Sequence, residues 1–326
     1  MRAVLISEFG GADVLRIGEV ETPAPGPGQV LVEVVATSVN RPDIVQREGN
    51  YPPPKGDSEI LGLEVAGRVK ALGPGVSGWA VGDRVMTLVG GGGYAEYAVA
   101  HADHLIPIPQ STSFEEAACV CETYITAYLN IFMLGALKAG ETVLLHGGGG
   151  GVNTAAIQLC KALAADSKVI VTASPGKVER VAELGADLVV DYKNQDFVEE
   201  VKGYTGKKGA SVILDHIGAA YLAPNMKSLA VGGRLVIIGV MGGIKAELNL
   251  ALMMVKRQQI IGSVLRSRPV AEKAAIVAAF KEAVVPLLER REILPLIHET
   301  YKLEDVARAH EEMEASAHFG KIVLLL

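Results

Sequence analysis

Along the first third of the chain the apolar runs are short and broken by glycine and proline. Val30-Leu31-Val32-Glu33-Val34-Val35-Ala36 is a β-like run entered through Pro25-Gly26-Pro27-Gly28. Residues 64–73 form another, closed by Gly73-Pro74-Gly75, and 79–85 make a turn feeding a third. The N-terminal MRAVLISEFGG carries a first strand. Many short strands with Gly/Pro punctuation predict a small β-barrel or sandwich.

The pattern changes near Cys121. Residues 123–137 read as a helix, 142–146 as a strand, 152–164 as a helix and 169–172 as a strand. A helix over 177–184 and a short strand over 188–190 follow, with further strands at 212–215 and 234–239. Apolar strands alternating with helices predict a parallel sheet covered on both faces. A long helix is expected over 270–288, and the closing run 320–326 as a strand that returns to the first domain. The expected division is residues 1–122 with 266–326 as one domain and 123–265 as the other, an α/β chain with no internal repeat.

Composition narrows the classes. The chain has 326 residues, of which 49% are hydrophobic, ample for two buried cores. The net charge is −6 and no cluster of Lys or Arg stands out, which disfavours a nucleic-acid surface. No window approaches 18 uninterrupted apolar residues, so no membrane span is expected. The N-terminal apolar run is too short for a signal peptide. Three cysteines, Cys119, Cys121 and Cys160, fit a reducing cytoplasm.

Five consecutive glycines, Gly147 to Gly151, separate the strand at 142–146 from the helix at 152–164. In that place glycines let a pyrophosphate approach the backbone, and the helix start offers N–H groups and a positive dipole. Gly148, Gly149, Gly150, Gly151 and Val152 are the expected dinucleotide contacts. The alternative is a tight strand–helix turn with no ligand. Asn153 stands where a third glycine often permits close helix–strand packing. Either the helix sits farther out or the amide meets the ligand. The second strand ends Val171-Thr172-Ala173-Ser174-Pro175-Gly176-Lys177, with no acid to hold a ribose 2′-OH. Ser174 and Lys177 suit a 2′-phosphate, and Tyr192 after the third strand is placed to close over it. A cation in a helix first turn is poorly placed for the dipole unless it meets an anion. The expected cofactor is therefore NADPH.

Several separated motifs then carry a family resemblance. They are Asn40-Arg41-Pro42-Asp43, the run from Gln46 to Pro54, Leu61-Gly62-Leu63-Glu64-Val65-Ala66-Gly67 and Gly91-Gly92-Gly93-Tyr94-Ala95-Glu96-Tyr97. The glycine run with Ala155-Ala156-Ile157-Gln158-Leu159 follows, then Leu214-Asp215-His216-Ile217-Gly218, Gly239-Val240-Met241-Gly242-Gly243 and Leu265-Arg266-Ser267-Arg268. Over its full length the chain resembles the medium-chain dehydrogenase/reductase superfamily. Within it, the chain resembles the zinc-free quinone oxidoreductase branch, which includes zeta-crystallin, and most of all its stress-inducible quinone oxidoreductase subgroup. The resemblance implies a GroES-like β-barrel domain, a Rossmann doubly wound parallel sheet, an active cleft between them, and a homodimer with the Rossmann sheets joined edge to edge. It places Thr126 and Tyr128 near the nicotinamide, and assigns Ile217, Gly239, Val240, Met241, Ser263, Leu265 and Arg268 to the cofactor site.

Zinc-dependent relatives hold a catalytic metal with Cys, the His of a Gly-His-Glu motif, and a further Cys or Glu. Here Asn40 and Leu63 stand in the first two places, and Glu122 falls near the third. One carboxylate cannot hold zinc, and three cysteines cannot build a four-Cys lobe. Cys119 and Cys121 are expected as packing residues, and His146 as a packed histidine. No metal is expected, and with it no Lewis-acid route to alcohol oxidation.

Hydride transfer from NADPH needs positioning and exclusion of water. A quinone accepts readily, whereas an enone needs a proton or hydrogen bond. Asn40 and Tyr51 are the candidate catalytic donors. Asn40 reads equally as a turn residue, and Tyr51 alternatively as a ring packed over its proline turn. The expected activity is an NADPH-dependent quinone oxidoreductase acting on small-molecule quinones. The rivals are an enone or alkenal reductase with Tyr51 as proton donor, and a crystallin-like protein that holds NADPH without turnover.

Overall fold

The structure is a computed structural model that describes residues 1–326. The chain forms two compact units, Met1–Ile125 with Leu265–Leu326, and Thr126–Val264.

Seven strands lie in the first part of the chain: β1 (Arg2–Ile6), β2 (Leu15–Glu19), β3 (Gln29–Val39), β4 (Glu64–Leu72), β5 (Arg84–Leu88), β6 (Tyr97–His101) and β7 (Leu105–Pro107). Helix α1 (Arg41–Arg47) follows β3, and α2 (Cys121–Tyr128) ends this part. The second unit supplies β8 (Thr142–His146), α3 (Gly151–Leu163), β9 (Lys168–Ala173), β10 (Leu188–Asp191), β11 (Ala210–Asp215), β12 (Leu229–Ile237), α4 (Leu250–Lys256) and β13 (Gln259–Gly262). The chain closes with α5 (Val270–Glu289), β14 (Ile297–Lys302), α6 (Val306–Ala315) and β15 (Lys321–Leu325).

In the first unit the strand order is β14-β15-β3-β4-β5-β7, with β6 also on β3. The long strand β3 organises the sheet: its first half pairs with β6, its last residues with β15, and β4 runs along its other side. The final strand thus returns to the N-terminal sheet. Gly67 of β4 shows why no other residue serves there. A Cβ added to it would lie 2.0 Å from the Glu33 carbonyl oxygen.

The second unit is a six-stranded parallel sheet of order β10-β9-β8-β11-β12-β13. One register row, Ile170–Leu144–Ile213–Leu235, crosses its middle, and all four side chains are fully buried. This is the core expected of strands covered on both faces. Because all six strands are parallel, the loops after their carboxyl ends gather along one edge. The order reverses direction beside β8, which puts the glycine run at the switch point.

The helix expected over 123–137 is divided. It is α-helical to Tyr128 and π-helical over Leu129–Leu134, where the Gly135 N–H reaches back to the Asn130 carbonyl. Arg234 of β12 then anchors the turn by donating to the carbonyls of Gly135 and Ala136. Residues 175–177 are a 3₁₀ turn, and the α-helix begins at Val178.

Candidate active site

The glycine run starts from a fully buried histidine. His146 Nδ1 meets the Thr172 hydroxyl at 3.1 Å and Nε2 meets Asn225 Oδ1 at 2.7 Å. Its ring packs edge-on against Phe197 and Tyr221. Burial pushes its pKa down to about 3, so it is a neutral packing residue. Gly147 turns the chain at φ +80°, and the N–H groups of Gly147 and Gly148 both donate to the Thr172 carbonyl. The turn therefore lies flat against β9. A Cβ on Gly148 would sit 2.5 Å from Val171, and one on Gly149 2.4 Å from the Lys177 side chain. No side chain caps α3 at Gly150. Its first-turn N–H groups are left to a ligand, and Gly151 and Val152 supply them.

Asn153 has its amide oxygen buried without a protein partner. Its amide nitrogen donates to the His146 and Gly147 carbonyls, so it ties the end of β8 to the first turn of α3. The side chain stabilises the glycine turn from behind, and its amide N–H₂ is spent on protein carbonyls.

Lys177 stretches over Gly149, half-buried, and burial together with the positive charge of Arg180 lowers its pKa. Tyr192 is tied beside the end of β9 by its N–H to the Ala173 carbonyl at 3.3 Å. Ser174 follows directly after β9. Ser174, Lys177 and Tyr192 thus flank one strand end, with Arg180 as a further cation one helical turn beyond Lys177. Its i, i+3 spacing from Lys177 was the available sequence signal. A glycine cradle with two cations and a serine fits a pyrophosphate and a 2′-phosphate.

The neighbouring loops complete that edge. Asp215 at the end of β11 accepts from the N–H groups of Ile217 and Gly218, and burial raises its pKa. It caps this turn. The Met241 and Gly242 N–H groups donate to the His216 and Ile217 carbonyls, so the loop carrying Gly239, Val240 and Met241 rests on the turn. Val240 and Met241 are exposed there. The Ser263 hydroxyl, just after β13, is buried without a protein partner, which suits a ligand polar atom. Thr126, on α2, accepts the Asn130 side-chain amide at its carbonyl. Leu265 and Arg268 belong to the first compact unit, where Arg268 pairs with Glu272, rather than to the sheet edge with the other cofactor candidates.

In the first unit Asn40 is buried and both ends of its amide are committed. Its nitrogen donates to Glu64 Oε1 at 3.0 Å and to the Ser38 carbonyl at 3.4 Å, and its oxygen accepts from Lys321 Nζ at 2.5 Å. Of the two expected roles, the amide's protein partners favour a structural one for Asn40. Glu64 also accepts from the Ser38 hydroxyl, from Lys321 and from the backbone N–H of Glu122. A lysine ammonium is thus the cation of this site. Leu63 is 1% exposed, and no group of three or more His, Cys, Asp or Glu that could hold a metal ion occurs. Cys119 and Cys121 are buried free thiols whose pKa values burial drives up.

Tyr51 lies beside this network. The Arg266 guanidinium stands 5.1 Å from its ring centroid and is held by the Gly90 carbonyl, the Tyr51 carbonyl and Gln46 Oε1. Burial first, then the charge of Glu122, raises the Tyr51 pKa, so the phenol stays protonated at neutral pH. Glu122 itself is pushed up to about 8, by burial and then by the charge of Glu64. Arg266, Glu122 and Lys321 are the residues that sequence reasoning left out of the site. Glu122 alone carried a signal, as an acid inside the apolar stretch Ala117 to Ile125.

Residues 26–110 match the alcohol dehydrogenase GroES-like domain family, and 151–282 the zinc-binding dehydrogenase family. Among curated proteins, the quinone oxidoreductase of Lama guanicoe is 37% identical over 100% of this chain and 98% of its own length. Among solved structures, the Escherichia coli quinone oxidoreductase complexed with NADPH has a TM-score of 0.90 at 28% identity, covering 100% of both chains. The apo JamJ enoyl reductase has a TM-score of 0.89 at 26% identity, covering 99% of this chain and 98% of its own.

Proposed function

The chain belongs to the quinone oxidoreductase branch of the medium-chain dehydrogenase/reductase superfamily, and from that premise we propose that it carries reducing equivalents from NADPH to quinones. The single observation that carries the choice of NADPH is the end of β9. There Lys177 lies over the glycine turn, with Ser174 before it and Arg180 one turn later. An enzyme that holds a ribose 2′-OH needs an acid at this place, and the segment 171–177 has none. Bound NADPH supplies a hydride, that is, two electrons with a hydrogen nucleus.

The protein's own part is to bind the dinucleotide and to settle the charge on the acceptor. Gly151 and Val152 offer backbone N–H groups to the pyrophosphate, with Gly148, Gly149 and Gly150 letting it approach the turn, while Ser174, Lys177 and Tyr192 hold the 2′-phosphate. Ile217, Gly239, Val240, Met241 and Ser263 line the rest of the same sheet edge, with Thr126 as a further contact. A quinone that has taken a hydride is a hydroquinone anion and needs one proton. With the Asn40 amide spent inside the protein, Tyr51 is the donor.

The same tyrosine favours a second reading, reduction of an enone, where the proton goes to carbon and donor chemistry weighs more. The deciding experiment measures NADPH and NADH turnover with 1,2-naphthoquinone and with an enone side by side. Turnover of quinone with a marked NADPH preference supports the first reading. Turnover of the enone alone moves the chain to the alkene reductases, and NADPH binding with no turnover identifies a non-enzymatic NADPH holder.

We also infer that two copies associate. β13 is the edge strand of the parallel sheet, and Leu250, Met254 and Val255 on the preceding helix α4 are 69%, 73% and 71% exposed. An open strand edge beside exposed apolar side chains calls for a cover. The three free thiols fit a reducing compartment, and we place the protein in the cytoplasm.

A further inference from the structure

We propose that Arg266 is a positioning residue for the reaction: its guanidinium holds Tyr51 in place as the tyrosine delivers its proton and steadies the charge left on the ring. The proposal rests on the reading above, in which Tyr51 is the donor.

Tyr51 lies in a segment with little support of its own. Residues 48–63, between α1 and β4, form no helix or strand, and Pro52, Pro53 and Pro54 remove three backbone N–H groups just after the tyrosine. The segment is held from outside instead. Gln46 at the end of α1 donates its side-chain amide to the Glu59 carbonyl at 3.0 Å. Asp57 folds onto Gly90, where an added Cβ would lie 2.0 Å from Asp57 Oδ2.

Arg266 joins these pieces. Its Nε and Nη2 donate to the Gly90 carbonyl at 2.8 and 2.6 Å, and its Nη1 to the Tyr51 carbonyl at 3.3 Å. Nη2 also donates to Gln46 Oε1 at 2.7 Å. One side chain thus ties the end of α1, the tyrosine and the residues after β5. Lys273, in the first turn of α5, donates to the carbonyl of Arg266 itself at 3.1 Å and fixes the clamp from behind. The guanidinium meets these three acceptors while standing 5.1 Å from the centroid of the Tyr51 ring. A lysine carries all its donors on one nitrogen and does not reproduce this fork. Arg266 is 7% exposed, so little water screens its charge from the ring.

The position suits the chemistry. The acceptor takes the hydride, the Tyr51 O–H bond breaks, and its proton passes to the acceptor anion. The phenolate left behind takes its proton back from water. Arg266 keeps its own protons throughout. As the O–H bond breaks, negative charge spreads into the ring beside the guanidinium, and the attraction between them grows. An interaction that strengthens on the way to the transition state lowers the barrier. Burial first and then the charge of Glu122 hold the phenol protonated, and Arg266 is the group that opposes them.

The test compares full-length wild type with Arg266→Met, Arg266→Lys, Tyr51→Phe and the Arg266→Met/Tyr51→Phe double variant. Each is assayed at pH 7 using NADPH with 1,2-naphthoquinone and with an enone, and NADPH binding is followed by nicotinamide fluorescence. Arg266→Met is expected to lower kcat by about 100-fold with NADPH binding unchanged. Arg266→Lys is expected to recover part of kcat, because it returns the charge without the fork. In the Tyr51→Phe background Arg266→Met is expected to change kcat by less than about twofold, since a residue that acts through the phenol has nothing left to act on. Equal fold losses in the two backgrounds make Arg266 a structural residue and overturn the proposal, as does a loss confined to NADPH binding. The reading beneath it fails separately: Tyr51→Phe with wild-type kcat on both acceptors removes the donor, whatever the Arg266 variants do. Should the Met variant not fold, Arg266→Lys compared in the same two backgrounds decides, and an equal loss in both rejects the proposal.

Discussion

Lys321 Nζ and Glu64 Oε1 stand 3.1 Å apart as an ion pair whose side chains are 5% and 0% exposed. The pair joins the last strand of the chain to β4 and closes the first unit from its C-terminal end. Such a pair is worth little against a well-packed apolar substitute, but breaking it strands a charge. Lys321→Met leaves Glu64 buried with only neutral donors. The expected loss is about 3–5 kcal/mol in unfolding free energy, read by urea denaturation. Adding Glu64→Gln to it returns part of that loss. A single Lys321→Met variant as stable as wild type contradicts the buried-pair account.

Nucleotide preference follows from the end of β9. Lys177→Ala removes one charge-assisted contact to the 2′-phosphate, a contribution of about 1.5–3 kcal/mol. The KM for NADPH is expected to rise at least tenfold, with the KM for NADH unchanged. Arg180→Ala is expected to act in the same direction and less. Equal effects on both nucleotides place the lysine on the pyrophosphate instead.

The parallel sheet and the glycine turn were legible because they rest on local patterns. Apolar strands alternating with amphipathic helices have a period, and a glycine run after a strand has a conformational reason. Asn153 was not legible, since its partners are the backbone carbonyls of its own turn and the residue type alone does not say which way the amide points. Asn40 stayed open for the same reason from farther away. Lys321, 281 positions on, takes its amide oxygen. Arg266 and Tyr51 lie far apart along the chain and meet only when the C-terminal segment joins the first unit. No spacing rule connects them. The π-helical stretch after Tyr128 was read as plain helix, because a shift from i→i+4 to i→i+5 bonding leaves the apolar pattern almost intact.

Acid should loosen both units through buried histidines. His146 in the second unit and His310 in the first are each held down to about 3 by burial. Their folded pKa values lie below the ordinary 6.5, so the unfolded chain takes up protons first. The stability each contributes is complete above about pH 6.5 and is lost as pH falls toward 3, by about 2 kcal/mol each at pH 5. Asp43, raised to about 6 by burial, has the opposite sign, gaining stability as pH falls from 6 toward its ordinary value, and offsets part of this. The wild type is expected to unfold at lower urea concentration at pH 5 than at pH 7. His146→Gln, which cannot ionise, should lose a share of that difference. An unchanged pH difference in the variant would mean that other groups set the acid limit.

The edge of the parallel sheet gives the last prediction. β13 pairs only with β12, so one side of its backbone offers unpaired N–H and C=O groups. The helix just before it presents Leu250, Met254 and Val255 to solvent, and Val264 just after is 48% exposed. A second copy of the chain can satisfy both needs at once, because two edge strands related by a twofold axis pair antiparallel and bring their apolar neighbours together. Met254→Glu with Val255→Lys puts charges into that surface without touching the glycine turn or β9. The wild type is expected to elute as a dimer by size-exclusion chromatography with light scattering, and the double variant as a monomer that still binds NADPH. A wild type that is monomeric at all concentrations removes the basis for this surface. A double variant that remains dimeric moves the contact to another face.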